Sequence, residues 1–269
     1  MNTDVALQRL EAIIDGMPSI AVAVSGGVDS LTLATVAGRR TGPHVEMFHA
    51  VSAAVPPEAT ARVETLAERE GWRLRLIHPG ELKREQYVAN PVDRCLHCKR
   101  ALYTTILPHT QAQVVSGANL DDLGDYRPGL QAAHESNVRH PFVEAHIGKA
   151  DIRSLARVLG LGALAELPAS PCLSSRVETG IRIAAPMLRK IDAAERVLRE
   201  STGAAAVRCR VRRSGVVIEV DEDVLSRLSA GEQVRLGERV GELFQLNGAA
   251  QTPTFAPYRM GSAFLRPAP

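Results

Sequence analysis

Hydrophobic positions along the chain fall into short apolar runs separated by amphipathic stretches. Residues 20–24 read Ile-Ala-Val-Ala-Val, five apolar side chains without alternation. Such a run predicts a strand buried on both faces of a parallel sheet. The turn Ser25-Gly26-Gly27-Val28-Asp29-Ser30 follows, and the residues behind it predict a helix ending near Gly42. Residues 44–51 and 72–77 predict two more strands. Between them, 57–70 predicts a helix with Val63, Leu66 and Ala67 on one face. Residues 113–116 form a fourth apolar run, ending in Gly117-Ala118-Asn119, and 149–159 predicts another helix. Strands alternating with helices predict an α/β fold around a parallel sheet.

Beyond Cys172 the texture changes. Residues 186–201 predict one long amphipathic helix, with Leu188, Ile191, Ala194, Val197 and Leu198 at helical spacing. Residues 205–220 predict a β-hairpin around Ser214-Gly215, residues 221–244 are mostly helical in pattern, and 254–265 returns as a strand. The natural division is an α/β domain over 1–180 and a smaller α+β domain over 181–269. Residues 80–110 and 120–148 are polar and rich in Pro and His, and read as long irregular segments. In a compact enzyme such segments usually carry function.

Composition narrows the classes. The 269 residues are 45% hydrophobic and 23% charged, which excludes a disordered or collagen-like chain. No apolar run approaches the ~18 residues of a membrane span. The N-terminal stretch reads as an amphipathic helix and not a signal peptide, so a soluble, cytoplasmic protein is expected. With 32 basic and 30 acidic side chains the net charge is +2, which calls for no nucleic acid partner. The four cysteines, Cys95, Cys98, Cys172 and Cys209, are too few for a disulfide scaffold.

Three motifs carry candidate chemistry. In Ser25–Ser30, two glycines allow a tight turn that brings backbone N–H groups, serine hydroxyls and a helix N-terminus together as an anion cradle. The Asp29 carboxylate cannot hold phosphate, but it suits a Mg²⁺ ion beside one. The Walker A pattern is absent, which argues against a γ-phosphate-transferring loop. The second motif is Asn90–Lys99, where the thiols of Cys95 and Cys98 lie at C-x-x-C spacing in a polar loop. They suit a metal or cluster iron better than redox exchange. The third is Pro168–Arg176, where prolines hold Cys172 extended beside hydroxyls and an arginine. A nearby cation favours thiolate.

The hexapeptide resembles the PP-loop of the ATP pyrophosphatase superfamily, whose members release pyrophosphate and place AMP on a substrate oxygen. More specifically, the chain resembles the LarE family of PP-loop sulfur transferases. The similar stretches are Ser25–Ser30, Ala50–Pro56, Asn90–Lys99, Gly117–Leu130, Pro168–Arg176 and Tyr258–Ser262. The resemblance implies a PP-loop ATP pyrophosphatase domain that is adenine nucleotide alpha hydrolase-like. It implies an ATP-dependent enzyme that adenylates a carboxylate of pyridinium-3,5-biscarboxylic acid mononucleotide. Sulfur then replaces the activated oxygen, giving a thiocarboxylate for the nickel-pincer cofactor of lactate racemase. In one branch of the family a single cysteine, matching Cys172, surrenders its own sulfur. In the other, three cysteines matching Cys95, Cys98 and Cys172 hold a [4Fe-4S] cluster. All three are present, so the cluster branch is the expectation and sacrificial transfer from Cys172 the alternative. The resemblance also implies homo-oligomers, hexamers in part of the family.

On this reading Cys172 and Asp29 are the catalytic candidates. ATP and Mg²⁺ would be held by Ser25, Gly26, Gly27, Val28, Asp29 and Ser30, with Asn119 and Asp121 facing the nucleotide. Tyr126 and Arg127 would reach the substrate. Arg208, Arg210 and Arg212 alternate along a predicted strand and so share one face, which suits the phosphate of a mononucleotide. The family's Arg-x-Arg pair is either 208/210 or 210/212. Cys209 points to the opposite face and reads as structural, and His97, His134, His140 and His146 as polar loop residues. Three other readings remain open: a PP-loop tRNA thiolase, an amide-forming ligase of the NAD or GMP synthetase kind, and a nucleotide-sensing module without turnover. A thiolase would favour tandem C-x-x-C pairs, and this chain has one.

Overall fold

The computed structural model describes residues 2–41, 44–124, 126–168, 171–246 and 252–265. The helix end expected at Gly42, together with Asp125, Ala169 and Ser170 of the family-like stretches, lies outside the described residues. In chain order the first elements are α1 (Thr3–Asp15), β1 (Ile20–Val24), α2 (Val28–Thr41), β2 (Val45–Ala50), α3 (Pro57–Glu70) and β3 (Leu74–Ile77). Then come α4 (Glu85–Val88), α5 (Arg94–Ile106), β4 (Gln113–Ser116), α6 (Leu120–Leu123), α7 (Pro128–Glu135), α8 (Pro141–Glu144) and α9 (Lys149–Val158). The rest are α10 (Ala185–Thr202), β5 (Val207–Arg212), β6 (Gly215–Val220), α11 (Glu222–Arg227), α12 (Ala230–Phe244) and β7 (Thr254–Pro257).

The chain divides into two units, Met1–Glu81 with Cys95–Ser170, and Leu82–Arg94 with Pro171–Pro269. The first is the expected PP-loop α/β fold. Its sheet has the order β3-β2-β1-β4, with every pairing parallel. All five residues of β1 are buried, as the unbroken apolar run requires. Successive side chains of a strand point to opposite faces. Ile20, Val22 and Val24 join a core cluster with residues of α1, α2 and α9. Ala21 and Ala23 join a second cluster with Tyr103 and Ile106 of α5 and Ala132 and Ala133 of α7. Strand order turns back at β1, so the carboxyl ends of β1 and β4 mark the switch point where open α/β sheets bind ligands.

The segments 80–110 and 120–148, expected to be irregular, hold α4 through α8. Their helical stripe is thin: α5 buries Leu96, Ala101, Tyr103 and Ile106 among polar neighbours, and that average polarity masks the period.

The second unit is α+β. β5 and β6 form an antiparallel hairpin through Arg213-Ser214, and β7 adds in parallel to β6. The strand expected over 254–265 is confined to Thr254–Pro257. The helix α10 buries Leu188, Ile191, Ala194, Glu195 and Leu198. Residues 82–94 belong to this unit, and its boundary falls near Pro171 and not at 180. Asn90 is the clasp. It is fully buried at φ 56°. Its side-chain amide donates to the carbonyls of Val177 (3.3 Å), Glu178 (2.8 Å) and Ile181 (3.0 Å). No helix of the described residues is long and apolar enough to cross a membrane.

Candidate functional site

In the first unit the loop Ser25–Ser30 leaves the carboxyl end of β1 and becomes α2. Gly26 adopts φ +81°, and a Cβ there would stand 2.6 Å from the Ala59 carbonyl oxygen, so both conformation and space demand glycine. The Ser30 hydroxyl accepts from the Ser25 N–H (3.0 Å) and donates to the Gly27 carbonyl (3.0 Å), drawing the loop into a closed turn. Val28 is buried in the core and anchors the first turn of α2. The unpaired first-turn N–H groups of a helix, opened on a glycine turn, suit an anion.

The end of β4 is pressed against this loop. A Cβ on Gly117 would lie 2.9 Å from the Ser30 backbone nitrogen. Asn119 is buried and caps α6, accepting from the Asp121 N–H at 3.0 Å. Asp122 closes the capping box and pairs with Arg127 at 2.8 Å. The Asp121 carboxylate accepts from the backbone N–H of Lys149. Asn119 and Asp121, expected to face nucleotide, thus also brace the frame of the site. Tyr126 is half exposed.

Asp29 has a partner that sequence patterning missed. The Lys149 ammonium stands 2.6 Å from each of its carboxylate oxygens. Burial raises the Asp29 carboxyl above its ordinary range, and Lys149 offsets only part of that; Asp122 adds to the rise. A signal was present in the sequence: Lys149 opens a helix, where the macrodipole disfavours a cation unless a carboxylate lies near. Mg²⁺ commonly keeps waters and takes one or two carboxylates plus substrate phosphates. Asp29 fits that role, with Lys149 in the cation position.

Two histidines border the same edge. His49 is buried, with Nδ1 2.9 Å from the Val24 carbonyl and Nε2 2.9 Å from the Thr60 hydroxyl. Burial lowers its pKa. Its neutral ring therefore donates from Nδ1 and accepts at Nε2. His140, read as a loop residue, meets the Ser116 hydroxyl at 2.9 Å, and burial with Lys99 nearby lowers its pKa as well. A concavity of ≈ 520 Å³, lined in part by Ser19, Gln113 and Asn137, lies at the opposite, amino-terminal ends of β1 and β4.

In the second unit Cys172 stands at the start of a short 3₁₀ turn, Leu173–Arg176, and is half-buried. The turn is tied down by buried polar groups. Arg176 donates to the carbonyls of Pro171 (2.6 Å) and Cys172 (3.2 Å), and both carboxylate oxygens of Glu195 receive it at 2.8 and 2.9 Å. Both side chains of that ion pair are 2% exposed. Burial pulls the Arg176 guanidinium down, but Glu195 outweighs it and holds the group above its usual range. The Tyr87 hydroxyl meets Ser174 Oγ at 2.6 Å, and Arg210 donates to the Ser175 carbonyl at 3.0 Å. Glu195 also escaped sequence reasoning, although a glutamate four residues after Ile191 and three before Leu198 interrupts an apolar stripe.

Arg208, Arg210 and Arg212 do share one face of β5, opposite Glu219 and Val217 of β6. The buried Glu219 carboxylate accepts from Arg210 (2.9 Å) and Arg212 (2.7 Å). Arg208 stacks 5.4 Å from the Tyr258 ring centroid, and burial with Arg176 nearby lowers it below its usual range. Arg176, Arg208 and Arg210 against Glu195 and Glu219 leave this buried network with an excess of positive charge. Cys209 lies on the other face, fully buried, its thiol pushed upward by burial as befits a structural cysteine.

Cys95 and Cys98 occupy the first two turns of α5, and not the polar loop expected for them. Residues three apart on a helix share a face, and both thiols are half-buried, which suits shared ligation of iron. No strand feeds this helix, so the redox context of a thioredoxin-like pair is lacking. Cys172 lies on the other unit. Among the described residues, no three His, Cys, Asp or Glu side chains form a group that could hold a metal ion.

No protein-family model matches the sequence. Individual relatives do. An uncharacterized protein of Synechocystis is 35% identical over 88% of this chain and 91% of its own length. The pyridinium-3,5-bisthiocarboxylic acid mononucleotide synthase of Lactiplantibacillus plantarum is 30% identical over 79% of this chain and 78% of its own. The chain belongs to the LarE family. An uncharacterized Methanocaldococcus jannaschii protein, 28% identical over 80% of this chain, is a further relative of this LarE-family chain.

Proposed function

We propose that this chain is an ATP-dependent sulfur transferase converting a carboxylate of pyridinium-3,5-biscarboxylic acid mononucleotide into a thiocarboxylate for the nickel-pincer cofactor. The observation that carries this reading is its kinship with the L. plantarum synthase over most of both chains. The geometry of the two units supports it.

A carboxylate oxygen is a poor leaving group. Attack of the substrate carboxylate on the α-phosphorus of ATP forms an acyl-adenylate and expels pyrophosphate. The Ser25–Ser30 turn and the start of α2 hold the phosphates. Asp29 would hold a Mg²⁺ ion, whose charge would offset that of the departing pyrophosphate. The arginine-rich face of β5 takes the mononucleotide phosphate, the buried excess of positive charge supplying the attraction. A sulfur nucleophile then attacks the activated carbonyl, and AMP leaves. Cys95, Cys98 and Cys172 would hold a [4Fe-4S] cluster, which would supply the sulfur chemistry of this step. Arg176 and Arg210 fix the backbone on either side of Cys172, so its sulfur is presented in one position.

The test is anaerobic purification with iron and sulfide analysis, followed by turnover with ATP, Mg²⁺ and the biscarboxylic mononucleotide. Pyrophosphate release and the mass gain of an oxygen-to-sulfur exchange in the product are expected. Both iron and product should be lost in a Cys95→Ala, Cys98→Ala variant. An iron-free protein that still makes product while Cys172 loses the mass of H₂S would replace the cluster with the sacrificial route. Pyrophosphate release without any thiocarboxylate would overturn the reading.

A further inference from the structure

We propose that Lys149 is an exchange cation. In the nucleotide-free protein it occupies the Asp29 carboxylate, and it moves to the phosphates of ATP when a divalent ion takes its place. The inference rests on the reading that ATP and a divalent metal meet at this loop, and it adds a role for a residue outside the PP-loop.

The geometry sets the argument. The ammonium lies 2.6 Å from both Asp29 oxygens, so it sits where a divalent ion would have to enter. Hydrogen bonds and close backbone packing hold the frame around the two residues. The Asp121 carboxylate holds the Lys149 backbone N–H, Asn119 holds the Asp121 N–H, and the Gly117 backbone abuts Asp29 and Ser30. The side chains themselves are accessible, 36% exposed for Lys149 and 27% for Asp29. A lysine ammonium is a point charge on a flexible stem and can swing without moving the backbone. Arg153 also acts on Asp29 electrostatically, but its guanidinium is spent on the carbonyls of Ala165 and Leu167. Of the two described cations that act on Asp29, Lys149 is therefore the one placed to change partners.

A metal ion arriving alone must displace the ammonium and leave it without a counter-charge beside the loop. A metal arriving with ATP brings four phosphate charges, and the displaced lysine pairs with them. Metal and nucleotide then bind as a coupled pair, each raising the affinity of the other. The protein is kept from binding a bare divalent ion at an empty loop.

Mn²⁺ binding, read from the loss of the free-ion electron paramagnetic resonance signal, tests this in the full chain. Without nucleotide, Lys149→Met should bind Mn²⁺ about tenfold more tightly than the unaltered protein, a typical coupling magnitude. Lys149→Arg, which keeps the charge, should stay with the unaltered protein, and adding Asp29→Asn to Lys149→Met should erase the gain. With a non-hydrolysable ATP analogue the unaltered protein should gain Mn²⁺ affinity strongly and Lys149→Met only weakly. Equal Mn²⁺ affinities without nucleotide, alongside a normal nucleotide-dependent gain, would overturn the exchange and leave the ATP reading intact. Absence of any nucleotide-dependent Mn²⁺ binding in the unaltered protein would overturn both.

Discussion

The turn around the PP-loop and the turn around Cys172 are built by opposite means. The first is made of backbone. Gly26 and Gly117 remove side chains so that β1, β4 and α2 can close on one another, and the ion pair beside the loop, Asp29–Lys149, is accessible to water. The second is made of buried charge. Arg176, Glu195 and Arg210 are each nearly inaccessible; the two arginines hold a short turn by donating to its carbonyls, and Glu195 accepts from Arg176. On the proposed function, exposed polar groups and a glycine backbone would serve a loop that admits and releases a nucleotide. On the same proposal, a buried network that cannot rearrange without breaking would serve a turn that presents the Cys172 sulfur in one place.

The largest predicted effect tests the second half of that contrast. Glu195→Ala leaves the Arg176 guanidinium buried and unpaired, and should cost about 3–5 kcal/mol of stability in urea unfolding. The double variant Arg176→Met, Glu195→Leu should recover most of that stability while failing to restore thiocarboxylate formation. Full activity in the double variant would show that the network is not what positions Cys172.

Gly117→Ala addresses the first half. Its Cβ would collide with backbone at Ser30, where no flexible side chain can give way. A loss of about 1–3 kcal/mol is expected, with a larger proportional loss of nucleotide affinity by calorimetry. Unchanged ATP-analogue binding would break the link between β4 and the loop.

A pH series sharpens the comparison further. Burial lowers the pKa of His49 below its ordinary 6.5, so the folded protein keeps the ring neutral where the unfolded chain protonates it. Its contribution is fully present above that pH and is lost as pH falls into the window below it. The slope from this one group is at most about 1.4 kcal/mol per pH unit. Unfolding midpoints between pH 7 and 5 should fall less steeply in His49→Gln than in the unaltered protein. Parallel slopes would remove His49 from the account.

The smallest effect is at the surface. Arg182 and Glu85 form an ion pair with side chains 64% and 68% exposed, the same chemistry as Arg176–Glu195 without the burial. Arg182→Ala should leave the unfolding midpoint unchanged within error. A clear destabilisation would mean that burial is not what separates the two pairs.

Much of the first unit was legible in the sequence because its signals are local. A continuous apolar run, a glycine pair and an amphipathic stretch each constrain backbone within a few residues, and β1, the loop and α2 follow in that order. The hairpin of β5 and β6 was legible for the same reason, as was the shared face of the three arginines. The first turn of α5 was not. Its buried positions are outnumbered by charged and cysteine neighbours, and only packing against the sheet through Tyr103 and Ile106 makes the helix evident. The domain boundary was displaced by Asn90, whose three bonds reach residues about ninety positions away.

By itself the sequence determined the order of the strands and of the helices with a clear apolar stripe, the place of the glycine turn after β1 and the family kinship, because each depends on residue type at short spacing. Tertiary structure alone decided which charges meet. Lys149 reaches Asp29 across 120 positions and Arg176 finds Glu195 on a separate helix. Glu219 claims Arg210 and Arg212 from the neighbouring strand. Ion pairing depends on distance and burial in three dimensions, and no periodicity in one dimension encodes either.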